Sequence, residues 1–519
     1  MPEGIEPLEE IADAEGAGLP SHGGPHLGGR RLTLRHAVAQ SLALGPIISA
    51  GVLLGVIANP STGAGANTAL SVLAATIGCL GLGYAVSLFA RRYAGAGALY
   101  EYLVRGATPW VGVLAGGIYF LGMMWLGGPS ITSGFALVAQ SALQVHLSIN
   151  ISWWVLMLIG AALIQVLNYF GIRVAVRAML TFAIVALIPM LILAFAIIIK
   201  GGADGNTLAV FNPSTTSLSA ALDGILIGVT MFVGFEAAAA LGEECRDPHR
   251  DIPRAVLLTI LAGGVFYVLM AYAISIGYGV HAVSKGVWAN DPAYIDTMAT
   301  RYVGSWLATI LDFVIVLDAL AVMLAMCVVV GHGLFTLGRD GLLPKVFTRT
   351  SRYNTPWVGH LVMIAAVTVG IVVIHLADYA KTFGLPNDLF AVLSLTTTVG
   401  SFMVQFIYFA VVVVGLKLVW SMRGRPGQWW RYLVVVLGCS VPILAYKGAL
   451  IPVPTDIGKS VNYVGLFYAL AMVLVIVVWF TWLRMTRPEL IARAASHAST
   501  AEPVPEAVPV APAGAVVQS

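Results

Sequence analysis

Two carboxylates stand where water should be scarce. Glu236 lies in "GVTMFVGFEAAAA" and Asp318 in "LDALAVMLAMCVVV", each inside a long apolar stretch. An acid held in hydrocarbon costs about 2.5–3.5 kcal/mol on insertion scales, so each must be neutralised, paired or solvated. One chemistry that suits such a group is to bind a proton from one side of a membrane and release it to the other; the alternative is a packing acid fixed by hydrogen bonds. A second concentration of charge follows directly, with Glu243, Glu244, Arg246, Arg250 and Arg254 crowded into a dozen residues. Salt bridges among them could form and break as a gate. A basic loop with balancing acids accounts for the arginines, but not for Glu243 and Glu244 at a helix C-terminus, where the dipole disfavours them. Asp251 and Pro253 read as the start of the next helix, an Asp cap with a first-turn proline. The chain offers no HExxH pair and no Ser or Cys nucleophile with a base at helical spacing, so no catalytic residue is assigned and an enzyme is not expected.

The elements that position these groups follow from composition. The 519 residues are 59% hydrophobic and 10% charged, against about a quarter charged in soluble domains. No aqueous core absorbs that much apolar surface, and the chain reads as an all-α integral membrane protein. Twelve stretches approach the ~20 apolar residues needed to cross a bilayer, and their continuous apolarity, without alternation, excludes a barrel. Of the 28 Lys and Arg, 22 fall in alternate connections that include both ends. The positive-inside rule then puts both termini in the cytoplasm and the protein in the cell membrane, in contact with the lipid bilayer. The net charge of +3 is therefore topology, and no nucleic-acid partner is expected. The four cysteines lie in helices (Cys79, Cys327, Cys439) or on the cytoplasmic side (Cys245), so no disulfide-linked partner chain is expected. No cofactor or metal is implied.

The organisation reads as a cytoplasmic tail (1–34), a ten-helix core (35–420) in two halves (about 36–200 and 217–419), two peripheral helices (430–484) and a disordered cytoplasmic tail (485–519). The first and sixth segments look discontinuous. "SLALGPIISAGVLLG" carries Gly45, Pro46 and Gly51, and the sixth carries Gly228 and Gly234, where proline removes a donor and glycine admits unusual dihedrals. Unwound backbone is tolerated at membrane depth only where it lines a cavity or binds something. Free NH groups at Ser49, Ala50 and Gly51, next to Ile48, would hold a carboxylate. Carbonyls around Thr230, Phe232 and Val233, next to Phe235, would hold an ammonium. Trp125 in the third segment would help to wall the site, and the pair of interruptions would cradle a zwitterion.

Three motifs carry a resemblance. "GFEAAAALGEECRDPHRDIPRAV" (234–256), "LGRDGLLPKVFTRTSRYNTP" (337–356) and "GAGALYEYLVRGATPWVG" (95–112) resemble the signatures of the amino acid, polyamine and organocation (APC) transporter superfamily. The resemblance spans about residues 35–420. It implies a leucine-transporter (LeuT) type fold with a 5+5 inverted repeat and discontinuous helices 1 and 6, and transport of amino acids or related amines by alternating access. Some members place a lysine in the fifth helix in place of sodium; "LTFAIVALIPMLILAF" has none, and the eighth segment lacks sodium-binding hydroxyls. A proton, through Glu236 and Asp318, is the expected coupling ion. The third segment offers no acid for a cationic side chain, so neutral or apolar amino acids lead. A polyamine or basic amino acid carrier or exchanger, and a receptor that binds without transporting, remain open.

Overall fold

The computed structural model describes residues 27, 32–42, 45–60, 63–215, 224–225, 227–291, 293–421, 429–451 and 453–499. Asp223, most of the amino-terminal tail and residues 500–519 lie outside them. Among the described residues ten helical runs are long and apolar enough to cross a membrane, accompanied by two shorter apolar ones, Trp153–Tyr169 and Ile227–Leu241.

The first run is divided. α1 (Leu34–Ser41) and α2 (Pro46–Ile57) meet at Gly45, whose φ of +60° is left-handed. Pro46 opens α2 at its first position, where a missing NH costs nothing and φ is already helical. α3 (Thr68–Ala90) follows, then the short α4 (Leu99–Gly106). α5 (Pro109–Trp125) and α6 (Ile131–Leu147) are joined through a π-turn at Leu126–Ser130 that contains Pro129. A proline lacking its donor is a standard cause of such a register shift. α7 (Trp153–Tyr169) and α8 (Ile172–Ile199) complete this half.

The sixth run is also interrupted. A helical turn at 227–230 gives way to turns at 231–234, where Gly234 has φ +107°, and then to a 3-10 segment, Phe235–Leu241. α9 is Pro248–Tyr278, α10 Tyr294–Tyr302, α11 Ser305–Arg339, α12 Trp357–Leu376, α13 Asp388–Ser421, α14 Trp430–Leu450, α15 Val461–Thr486 and α16 Pro488–Ser499. α9 starts five residues before Pro253, with Asp247 as its flanking residue and Pro248 at its first position. This corrects the expected start: Pro248 already satisfies the helix-opening rule, leaving Asp251 in the first turn and Pro253 inside the helix.

Packing ranks the helices. α11 is the centre, 83% buried over its most apolar stretch, while the same measure for α15 is 17%. α3 runs along α9 and α14, α8 along α11, and α5 along α13. The exposed side chains of α8 and α15 are themselves apolar, including Ile184, Ile188, Phe195, Leu470, Leu474 and Val478. A belt of that kind is covered by lipid rather than water.

The expectation of a disordered tail from 485 fails over its first part. α16 occupies Pro488–Ser499 and docks on α4 and α5, with Ile491 and Ala494 each 1% exposed. Leu490, Ile491 and Ala494 share one helical face, so burying that face fixes a stretch whose composition alone suggests a linker.

Candidate functional site

The two interruptions face one cavity of about 120 Å³. A single water needs about 10–15 Å³ on this measure, so the space suits a small organic molecule. α2 contributes Ile48, Ser49, Val52 and Leu53; the sixth run contributes Thr230 and Val233. The π-turn and α6 add Leu126, Ser130, Ile131 and Gly134, α11 adds Val322 and Met326, and α13 adds Leu393 and Thr397. Hydroxyls of Ser49, Ser130, Thr230 and Thr397 are the polar side-chain groups of the wall, and Ser130 and Thr397 bond to each other. No charged side chain lines it among the described residues.

The interruptions are tied together. The Ser49 hydroxyl bonds to the Tyr267 hydroxyl on α9, which donates to the carbonyl of Met231 at 2.9 Å. Each interruption also meets a buried carboxylate. Asp318 Oδ2 accepts from the NH groups of Ile47 (3.0 Å) and Ile48 (2.8 Å). Glu236 Oε2 accepts from Gly234 NH at 3.2 Å, and its Oε1 accepts from the Tyr119 hydroxyl of α5, also at 3.2 Å. Both acids are essentially inaccessible, Glu236 at 0% and Asp318 at 1% exposure, and neither forms an ion pair among the described residues.

Several expected contacts move. The helix break falls at Gly45, so Ser49 NH is not free: it donates to Gly45 O at 2.9 Å, and Ala50 and Gly51 lie inside α2. The carbonyl of Ala50 accepts from the Tyr294 hydroxyl, and Gly51 adjoins Ile315 of α11. In the sixth run the carbonyls of Thr230 and Phe232 accept from Val233 and Phe235 NH within tight turns. Phe232 is buried edge-on to Tyr267, and Phe235 packs against Tyr408. Trp125 is one residue short of the wall; it packs beside Gly370 of α12, and its indole NH has no hydrogen-bond partner among the described residues. Ile48, Ser49, Thr230 and Val233 remain as wall residues.

At the arginine-rich end the acids find partners that local spacing does not reveal. Glu243 pairs with Arg339 at 2.7 Å and Glu244 with His332 at 3.1 Å, both partners coming from α11. Burial pushes the Glu243 carboxyl up, but the charge and hydrogen bond of Arg339 outweigh it and hold it below the usual glutamate range. Arg246, Arg250 and Arg254 enter no ion pair among the described residues. Beside this cluster, Tyr100 donates to Asp340 at 2.7 Å. Burial pushes the Glu101 carboxyl up, with Arg105 only partly offsetting it. The amino-terminal segment closes over the same end: Leu32 NH donates to Glu244 O and Arg246 NH donates to Leu32 O, each at 2.9 Å. Leu27 packs with Ala96 and Phe335.

The sequence model of the amino acid permease family matches residues 39–516. The chain belongs to that family. The permease is 26% identical to a low-affinity putrescine importer of Escherichia coli over 294 residues, 53% of this chain and 61% of the importer; it thus spans about three fifths of that relative's length. It is 27% identical to uncharacterized transporters of Mycobacterium bovis and Mycobacterium tuberculosis over 423 residues, 79% of this chain and 85% of theirs. These relatives are named as transporters and not as enzymes. The permease is a multi-pass membrane protein.

Sequence reasoning assigned no role to His332, Tyr119 or Tyr267, whose side chains bond to Glu244, to Glu236 and to the Met231 carbonyl. A signal was there for the tyrosines, since each puts a hydroxyl at mid-helix in a long apolar run. His332 carried the weaker signal of an imidazole seven residues from the end of α11.

Proposed function

We propose that this permease is a secondary transporter that moves a small solute bearing an amino group, an amino acid or a related amine, by alternating access around the cavity between α2, α6, α11, α13 and the sixth run. In this reading twelve helices span the cell membrane, two five-helix inverted repeats each open with an interrupted helix as in the LeuT-type fold, and both termini face the cytoplasm. The convergence of two helix interruptions on one largely apolar cavity supports it best, since broken backbone at membrane depth is otherwise costly. The arginine-rich end is then the inner mouth, closed here by the Glu243–Arg339 and Glu244–His332 pairs.

Proton coupling is assigned to Glu236 and Asp318. They are the acids buried against the interruptions, so a change in the charge of either acts directly on backbone that must rearrange. A proton moving down 100 mV contributes about 2.3 kcal/mol, enough for roughly forty-fold accumulation of a neutral solute. Labelled-solute uptake into vesicles holding the purified protein tests the reading, with an imposed pH gradient as the second variable. Binding without flux turns the permease into a receptor and ends the transport assignment. Retention of the full pH response by both Glu236→Gln and Asp318→Asn places the coupling elsewhere.

A further inference from the structure

His332 of α11 is buried, and both of its ring nitrogens face oxygen. Nδ1 lies 2.9 Å from the carbonyl of Val328, one turn back along the helix, and a carbonyl can only accept. Nδ1 therefore carries hydrogen. Nε2 lies 3.1 Å from Glu244 Oε2. A neutral imidazole has one N–H, so with Nδ1 protonated its Nε2 is a bare lone pair, which repels a carboxylate oxygen at that distance. The contact needs one proton more than a neutral imidazole and an ionised carboxylate hold between them. Glu244 is 2% exposed and its Oε1 has no hydrogen-bond partner among the described residues, so this imidazole is the donor that the buried side chain depends on. The neighbouring groups do not compete for that role. Glu243, next in sequence, is taken by Arg339 at 2.7 Å, and Glu101 and Asp340 act on Arg339. On α12, His360 is buried with its ring centre 6.5 Å from that of His332, and neither of its nitrogens has a partner among the described residues.

We propose that Glu244 and His332 form a proton-binding site, separate from Glu236 and Asp318, in which the imidazole carries a proton exchanged with the solution at the arginine-rich end. While the end is shut, the proton bridges the pair. Once the pair is parted and hydrated, an imidazole gives its extra proton to water above about pH 6.5. Closing the end thus takes up one proton and opening it releases one. Acid on that side holds the end shut and alkali favours opening, by up to about ten-fold in the shut-to-open ratio per pH unit. The link to opening rests on the reading of this end as the inner mouth of a transport cycle. The amino-terminal clip is drawn into the same event, because Leu32 NH donates to the carbonyl of Glu244 itself. Cys245, the next residue, is 0% exposed and so reports on whether the end is shut.

The test uses the full chain in lipid nanodiscs with nitrogen-15-labelled histidine, the ring resonances of His332 being assigned by their loss in His332→Gln. At pH 7.5 the wild type is expected to show both His332 nitrogens protonated. Glu244→Gln, whose amide can donate to a bare Nε2, should show a neutral ring with its hydrogen on Nδ1. A bare Nε2 in the wild type overturns the proposal, as does a ring that keeps both protons in Glu244→Gln. The second measurement is maleimide labelling of Cys245 after Cys79→Ala, Cys327→Ala and Cys439→Ala. Dividing by the rate for the denatured chain removes the thiol's own dependence on pH. Protection of Cys245 should fall at least five-fold from pH 7 to pH 8, and should stay level in Glu244→Gln. Protection that is level in the pair-intact chain, or that falls equally in the variant, overturns the proposal. If Glu244→Gln or His332→Gln fails to fold, the pH profile of Cys245 in the pair-intact chain decides alone. Labelled-solute flux separates this site from the transport reading. A doubly protonated His332 in a protein that moves nothing keeps the proton site and removes the transporter, whereas flux with a neutral His332 does the reverse.

Discussion

The interruption before α2 and the one at 231–234 share a design and differ in where its parts come from. Each turns at a glycine with positive φ, and each has backbone NH groups held by a buried carboxylate. At 231–234 the carboxylate is Glu236, two residues along the chain from the NH it accepts, with Tyr119 as its tether to α5. Before α2 it is Asp318, 270 residues away from Ile48 in sequence. A cap carried on its own segment travels with that segment. A cap carried by another helix ties the broken helix to α11, and the tie must strain or break if the two move apart. The α2 break is therefore the one whose shape reports on the arrangement of the whole bundle.

The largest expected effect comes from the hinge glycines. Gly45→Ala puts a Cβ into a left-handed φ and within 2.5 Å of the Val322 side chain; strain of that kind costs about 1–3 kcal/mol before the clash is counted. It should abolish uptake and lower the melting temperature in detergent. Gly234→Ala suffers the backbone strain and should lose less; the reverse order would unseat the view of α2 as the tightly coupled break. Next in size is removal of the acids. Asp318→Ala strands two buried NH groups at about 1–3 kcal/mol each, whereas Glu236→Ala strands one, that of Gly234, beside the Tyr119 hydroxyl, whose proton is free to rotate. Chemical denaturation should show the larger loss for Asp318→Ala, and equal losses would mean that the two caps are equivalent.

A third experiment asks whether the arginine-rich end answers to the sixth run. Cys245 is 0% exposed, and burial pushes its thiol up to about 12, with Asp251 and Glu244 adding to the shift. It is therefore inert at neutral pH while that end is shut. Arg339→Met, by releasing Glu243, should raise the rate of maleimide labelling at Cys245 several-fold. An unchanged rate would show that the ion pair does not hold the end closed.

The smallest effect lies at the opposite end. Burial pushes the Asp296 carboxyl up to about 7, with the charge of Asp312 adding to it and His146 opposing it; Asp291 is a further charged neighbour. A carboxyl that holds its proton more firmly in the folded state than in the unfolded one favours folding at low pH. That contribution is full below about pH 4 and is lost as pH rises through 7. Melting temperature should fall by a degree or two between pH 6 and 8, and Asp296→Asn should flatten the slope.

What sequence could and could not disclose follows the same division. Glu236 was legible because its glycine and its membrane depth sit in one short motif. Gly45 with Pro46 was a stronger helix-start signal than Gly51, and weighing it so would have placed the break correctly. The partners of Asp318, Glu243 and Glu244 were not legible, because each is brought in by packing of α11 and no local spacing encodes that. α16 shows the converse error, since its apolar face is plain in Leu490, Ile491 and Ala494 but was overshadowed by the biased composition that follows it.

The two hydrogen bonds that clip Leu32 to the stretch from Glu244 to Arg246 fasten the amino-terminal segment across the arginine-rich end, the inner mouth of the proposed transport cycle. In the proposed alternating-access cycle they form a latch that is released whenever that end opens, and holding it shut is expected to slow uptake. A binding protein, or even a bulky affinity tag, that pinned the amino-terminal segment in place would slow the permease without coming near its cargo.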